Sequence, residues 1–164
     1  MVNIAEELKK TFASLVTNTG DVVNTTSSVT KNVVVETLKA GEVAANSTIN
    51  TVGSVVTDGI KVASEAGVSV TDAATGLAKG AVHGVKEVGG DIGTAAVAAV
   101  EGAVKAAGDV GTDSAMLAKS AVMGTLKAAD EIGSEASTVV RKALLNAASL
   151  PHDVIDALLT GKTG

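Results

Sequence analysis

A single aromatic ring, that of Phe12, is all that this 164-residue chain has for a core; Trp, Tyr and Cys are absent. Aromatic side chains supply the largest single burials in ordinary domains. Here the apolar residues are chiefly Val and Ala, with some Leu and Ile, and each removes little area from water. A compact ball would be thinly held by such side chains. Many small contacts along a long seam suit them better. That predicts an elongated molecule or a homo-oligomer, most simply a dimer.

The net charge is −5 and the charges are interspersed. No basic patch interleaved with aromatics speaks for nucleic acid. Without cysteine there is no disulfide framework. The first ten residues, MVNIAEELKK, carry acid by Glu6 and lack the basic start and apolar run of a secretory signal. The default location is therefore cytoplasmic. The longest uncharged stretch, Val43–Thr57, is rich in Asn, Ser and Thr. It is too short and too polar to span a bilayer. Mean hydropathy is high, +0.37, but evenly spread, which fits a soluble chain.

Residues 3–17 read as an amphipathic helix. Asn3 caps it, Glu6 completes a capping box, and Ile4, Leu8, Phe12 and Leu15 share one face. Residues 18–31 are polar and β-branched around Gly20 and read as a loop or break. From residue 32 to 148 one pattern dominates. Ile49, Val52, Val56, Ile60, Ala63, Gly67, Val70, Ala74, Leu77, Ala81, Val85, Val88 and Ile92 recur at the helical period. The stripe runs on through Ala96, Val100 and Ala103 to Ile132, Ala136 and Val139. This predicts an all-α, extended, non-globular protein of long helices, with a bend at Gly89-Gly90. The Thr/Val-rich residues 21–60 also fit strands. Pro151, the only proline, stops the long pattern. A short last helix over 150–160 then carries Val154, Ile155, Leu158 and Leu159.

An acid–apolar–Gly motif recurs at Glu65-Ala66-Gly67, Asp91-Ile92-Gly93, Asp109-Val110-Gly111 and Glu131-Ile132-Gly133. The uneven steps argue for a drifting helix rather than a solenoid of fixed repeats. Lys61, Lys86, Lys105 and Lys127 stand four or five residues before these acids, the spacing of exposed ion pairs.

Glycine inside a helix costs roughly 1 kcal/mol relative to Ala, so its abundance needs an offset. Gly76, Gly80 and Gly84 form a small-xxx-small row, and Ala98-Gly102-Ala106 repeats the idea. Such rows let two helix backbones approach closely. Threonine heads three comparable rows: Thr37-Gly41-Ala45, Thr94-Ala98-Gly102 and Thr125-Ala129-Gly133. Each is either a buried packing seam or a row of regular spacing matched to a lattice.

Catalytic constellations are missing from the sequence. His83 and His152 are far apart, and no cysteine or HExxH serves as nucleophile or metal ligand. Gly89-Gly90-Asp91-Ile92-Gly93 lacks the strand and spacing of a dinucleotide loop. Gly161-Lys162-Thr163 has Asp156 where a phosphate loop needs its first glycine. The expectation is no enzyme, no cofactor and no metal.

The Ala/Gly/Val/Thr-rich helical pattern, the near absence of aromatics and the Thr-x3-small-x3-small rows resemble single-helix antifreeze proteins. With a lone proline near the C-terminal end, the chain is more similar to the methane clathrate-binding proteins of deep-subsurface sediment bacteria. Each row here departs from a strict Thr-x3-Ala-x3-Ala by a glycine. The resemblance implies a protein that adsorbs to ordered water at a gas-clathrate surface and slows its growth, which requires release from the cell. It also implies that the Thr rows are packing and that Pro151 makes the contact. Two other classes fit the composition: a stress protein of the late-embryogenesis-abundant kind, and a phasin-like or apolipoprotein-like coat.

Overall fold

Four glycines decide where the helices stop. Gly67, Gly89, Gly111 and Gly133 all have positive φ, a conformation glycine adopts without steric cost. They stand at a constant step of 22 residues (89 − 67, 111 − 89, 133 − 111). Two residues after each of the first three comes a helix cap, Ser69, Asp91 or Asp113. Its side chain accepts from the amide of Asp72, Gly93 or Ala115 respectively. Each of these three glycines thus ends one helix by a left-handed turn and the cap starts the next, whereas Gly133 (φ 151°) is a single-residue break with no side-chain cap.

The computed structural model describes residue 10, residues 22–40, residues 45–147, and residues 150 and 155. Among these it is all-helical, with α1 at Val22–Ala40, α2 at Ala45–Ala66 and α3 at Val70–Glu87. They are followed by α4 at Ile92–Val110, α5 at Ser114–Ile132 and α6 at Ser134–Asn146. Each helix packs most extensively on the helix two places along. So α1, α3 and α5 form one layer, and α2, α4 and α6 the other. Within a layer the helices run parallel, as the contacts show. Gly76, Gly80 and Gly84 of α3 advance along Val23, Thr30 and Val34 of α1. The Thr75 and His83 side chains of α3 advance along Ser120 and Glu131 of α5.

The core follows the same 22-residue step. Val52, Ala74, Ala96, Ala118 and Val140 are fully buried, as are Val56, Ala78, Val100, Val122 and Leu144. Ala63, Val85, Ala107 and Ala129 make a third buried set. Glycine fills the place where a layer is tightest. A methyl on Gly80 would lie 3.0 Å from the amide nitrogen of Lys31, and one on Gly102 would lie 2.9 Å from the Gly53 carbonyl oxygen. One on Gly124 would meet the Thr75 carbonyl oxygen. These three are again 22 residues apart. The cost of glycine in a helix is offset by this approach, which lets small side chains reach van der Waals contact.

Several expectations are corrected. The molecule is a packed bundle of short helices, not an extended rod. The pattern over 32–148 is broken at 67–69, 88–91, 111–113 and 133, and the expected bend at Gly89-Gly90 is one of these turns. The stripe passes through the turns in phase, so it gave no sign of them. The expected loop over 18–31 is helical from Val22 onward, and the strand alternative for 21–60 is replaced by α1 and α2. There Thr26 and Thr30 are wholly buried, and packing on the glycines of α3 overrides their strand preference. The repeat is regular after all: its second copy is Glu87-Val88-Gly89, not Asp91-Ile92-Gly93. The expected helix at 3–17, apart from Lys10, lies outside the described residues, as does Gly41. Of the C-terminal segment 150–160 only Leu150 and Ile155 are described, and both are buried; Pro151 lies outside.

Candidate functional site

The two layers present two outer faces. On the α1–α3–α5 side a groove of about 330 Å³ follows α3. Asn24, Ser27 and Lys31 line it from α1, Lys79 and His83 from its floor, and Glu131 from α5. Its polar groups are joined across helices. The Lys79 ammonium lies 3.2 Å from Glu131 and donates to the Asn24 side-chain oxygen at 3.1 Å. His83 Nε2 is 2.7 Å from the other Glu131 oxygen, and Lys31 pairs with Glu87 at 3.6 Å. Burial pushes the Glu131 carboxyl up, but the hydrogen bonds and charges of His83 and Lys79 outweigh it and hold it below its ordinary value. This face is a set of mutually satisfied charges.

The α2–α4–α6 side differs. Two shallow grooves, of about 460 and 370 Å³, adjoin along α4. Gly93, Thr94, Val97, Ala98 and Gly102 form the floor. Ile49 and Gly53 of α2 flank it on one side, Val139 and Ala143 of α6 on the other. Ile49 is 45% exposed and Val139 is 43% exposed, high values for bulky aliphatic side chains in so thin a core. Glu101, Lys105 and Asp58 border the strip, while Lys61 pairs with Asp109 near the end of α4 at 3.6 Å. Asp91 caps α4 and also accepts from the Thr94 hydroxyl at 3.0 Å.

The residues singled out from sequence divide accordingly. Gly76, Gly80 and Gly84 are buried in the α1–α3 seam, where a methyl on Gly76 would lie 2.7 Å from the Val23 carbonyl oxygen. In the second threonine row, Thr94 is half-buried and tied to Asp91, while Ala98 and Gly102 are buried in the floor of the α4 strip. In the third, Thr125 and Ala129 are fully buried and Gly133 forms a turn. The Thr125 hydroxyl donates to the Val122 carbonyl at 2.8 Å. In the first, Thr37 donates to the Val33 carbonyl at 2.8 Å; Gly41 and the Ala45 side chain lie outside the described residues. Of the cations expected to pair along one helix, Lys61 reaches across instead to Asp109 of the next helix in its layer. Sequence reasoning placed Ile49 and Val139 inside with the apolar stripe. The 22-residue step corrects that, because Val52 and Val140 occupy the core position and Ile49 and Val139 flank it.

Among the described residues no group of His, Cys, Asp and Glu is arranged to hold a metal, and no helix is long and apolar enough to cross a membrane. Compared with known families, curated proteins and solved structures, the chain matches none of them.

Proposed function

We propose that this protein is a non-catalytic binder of an ordered apolar–water surface, and that the surface is a gas clathrate whose growth it slows. One observation carries the reading: the low-relief strip along α4, whose floor is Gly, Ala, Thr and Val and whose rims are the exposed Ile49 and Val139. A clathrate cage already accommodates hydrocarbon, so adsorbing aliphatic surface there removes it from bulk water without stripping strong hydration. The resemblance to clathrate-binding proteins supplies the ligand, and adds Pro151 as a second contact, its ring a compact apolar guest. Of the exposed aliphatic residues, Ile49 and Val139 belong to the strip, whereas Met116, Met123 and Leu145 leave surface for a homodimer.

The test is growth of methane hydrate in the presence of wild type, the double variant Ile49→Asp/Val139→Asp, and Pro151→Ala. Slowed growth with wild type and its loss in the double variant are expected. No slowing by wild type sinks the reading. Equal slowing by the double variant removes the strip from the mechanism, and equal slowing by Pro151→Ala removes the proline.

A further inference from the structure

The repeat singles out one outward position on α5. At steps of 22 residues the place of Met116 is held by Ser28, Asn50, Asp72, Thr94 and Thr138, all polar. Only α5 puts an apolar side chain there, and Met116 is 51% exposed. Met123, about two turns further along the same face, is 41% exposed. Asp113, Met116, Ser120, Met123 and Lys127 follow one another at steps of three, four, three and four, the spacing of a seam between two helices. Lys127 is a second departure from the repeat. Its counterparts Lys61 and His83 each reach the acid 48 residues on, Asp109 and Glu131, in the next helix of their layer. In its layer α5 is the last described helix, and among the described residues Lys127 has no ion pair. Asp113 accepts from the Ala115 amide and likewise has no cation beside it among the described residues.

We infer that α5 pairs with the α5 of a second copy of this chain, antiparallel across a two-fold axis at Ser120. The face is complementary to itself in that arrangement alone. Asp113 and Lys127 stand seven residues either side of Ser120, so the axis sets Asp113 of each copy against Lys127 of the other. Met116 stands four residues before Ser120 and Met123 three after it, so the methionines meet in two pairs, and their flexible side chains fill the gap. Ser120 is small and lets the helices approach at the axis. Antiparallel helices also set opposite dipole ends together. A parallel pairing would instead oppose Lys127 to Lys127 and Asp113 to Asp113. The contact lies on the outer face of the α1–α3–α5 layer. The α4 strips of the two copies therefore point away from each other and both stay open. This inference gives a geometry to the homodimer named above and uses no part of the clathrate reading.

Sedimentation equilibrium of the full chain, with no ligand added, tests it. Wild type is expected to form a reversible dimer, with a dissociation constant on the order of micromolar or weaker because the seam is short. Lys127→Asp sets acid against Asp113 and is expected to weaken the dimer at least about tenfold. Cross-linking fixes the register, since the chain has no cysteine of its own. A disulfide needs Cα atoms within about 7 Å, so Ser120→Cys, on the axis, is expected to cross-link two copies under mild oxidation. Ser54→Cys, exposed on α2 in the other layer, is expected not to. A wild type that stays monomeric at millimolar concentration would overturn the inference. So would a dimer that Lys127→Asp leaves intact, or a Ser54→Cys that cross-links as readily as Ser120→Cys. Hydrate growth plays no part in these measurements, so this inference and the clathrate reading can each fail alone.

Discussion

The outer faces of α3 and α4 are built on the same repeat, yet on one the charges close into a network and on the other they border grooves rimmed by the exposed Ile49 and Val139. Where α3 has Thr75, Lys79 and His83, α4 has Val97, Glu101 and Lys105 one step of 22 residues later. The α3 residues meet α1 and α5 partners and close into a network around Glu131. The α4 positions leave a strip between Ile49 and Val139. The difference teaches that the fold is held by the buried columns and the close glycines, which the two layers share. The outward positions take no part in that, so each face is free to acquire its own chemistry. On the proposed reading, binding is therefore separable from folding.

The largest effects test the shared part. Gly80→Val and Gly124→Val, one in each half of the α1–α3–α5 layer, drive a branched side chain into a neighbouring backbone. Each is expected to cost about 3 kcal/mol in urea denaturation. Gly108, with nothing within 4 Å of an added methyl, marks the contrast. Gly108→Ala is expected to stabilise by about 0.5–1 kcal/mol through helix propensity alone. If Gly80 tolerated Val as Gly108 tolerates Ala, the close approach of α1 and α3 would not be a determinant of the fold.

Smaller effects fall on the turns. Asp91 accepts from the Gly93 amide at 2.9 Å and Asp113 from the Ala115 amide at 2.9 Å. Asp113→Ala is expected to cost about 1 kcal/mol. Asp91→Ala is expected to cost slightly more, because the Thr94 hydroxyl also loses its partner. Equal melting temperatures for the two variants would show that the Thr94 bond contributes nothing.

The smallest effect is the pH response of the ionic face. Glu131 has its pKa lowered in the fold, so the stability it contributes is present above its unfolded value, about 4.3, and is lost as pH falls through the lower folded value. Glu131 is half exposed, and solvent screens the gain. Glu131→Gln is expected to flatten the acid limb of a stability-versus-pH curve slightly and to leave hydrate growth unchanged. A steeper acid limb in that variant would contradict the assigned sign.

Much of the fold was legible in the sequence, because helical periodicity is a strong signal. Most of the stripe from Val52 to Ile92 is buried, with Val70 and Val88 partly so and Gly67 exposed at a turn, and the Gly76-Gly80-Gly84 row lies in a helix seam. The turns were not legible for a physical reason. A step of six whole turns lets the apolar stripe run across each break in phase, so periodicity cannot distinguish one long helix from several stacked ones. The motif Glu87-Val88-Gly89 carried the missing information, and Asp91-Ile92-Gly93, a cap rather than a stop, stood in for it. The strip was the least legible part. Val139 is one position from the core residue Val140 and Ile49 one from the buried Thr48, and only the packing of three helices decides which of two adjacent valines, Val139 or Val140, faces water.

The most direct measurement of the central claim, that one face binds while both faces fold, is methane-hydrate growth rate with paired face variants. Ile49→Asp/Val139→Asp alters the aliphatic strip, and Lys31→Gln/Lys79→Gln alters the ionic face. The account predicts that both variants unfold within about 0.5–1 kcal/mol of wild type, as surface changes do, and that only the first loses the slowing of growth. Loss of slowing in the ionic-face variant with retention in the strip variant would contradict it.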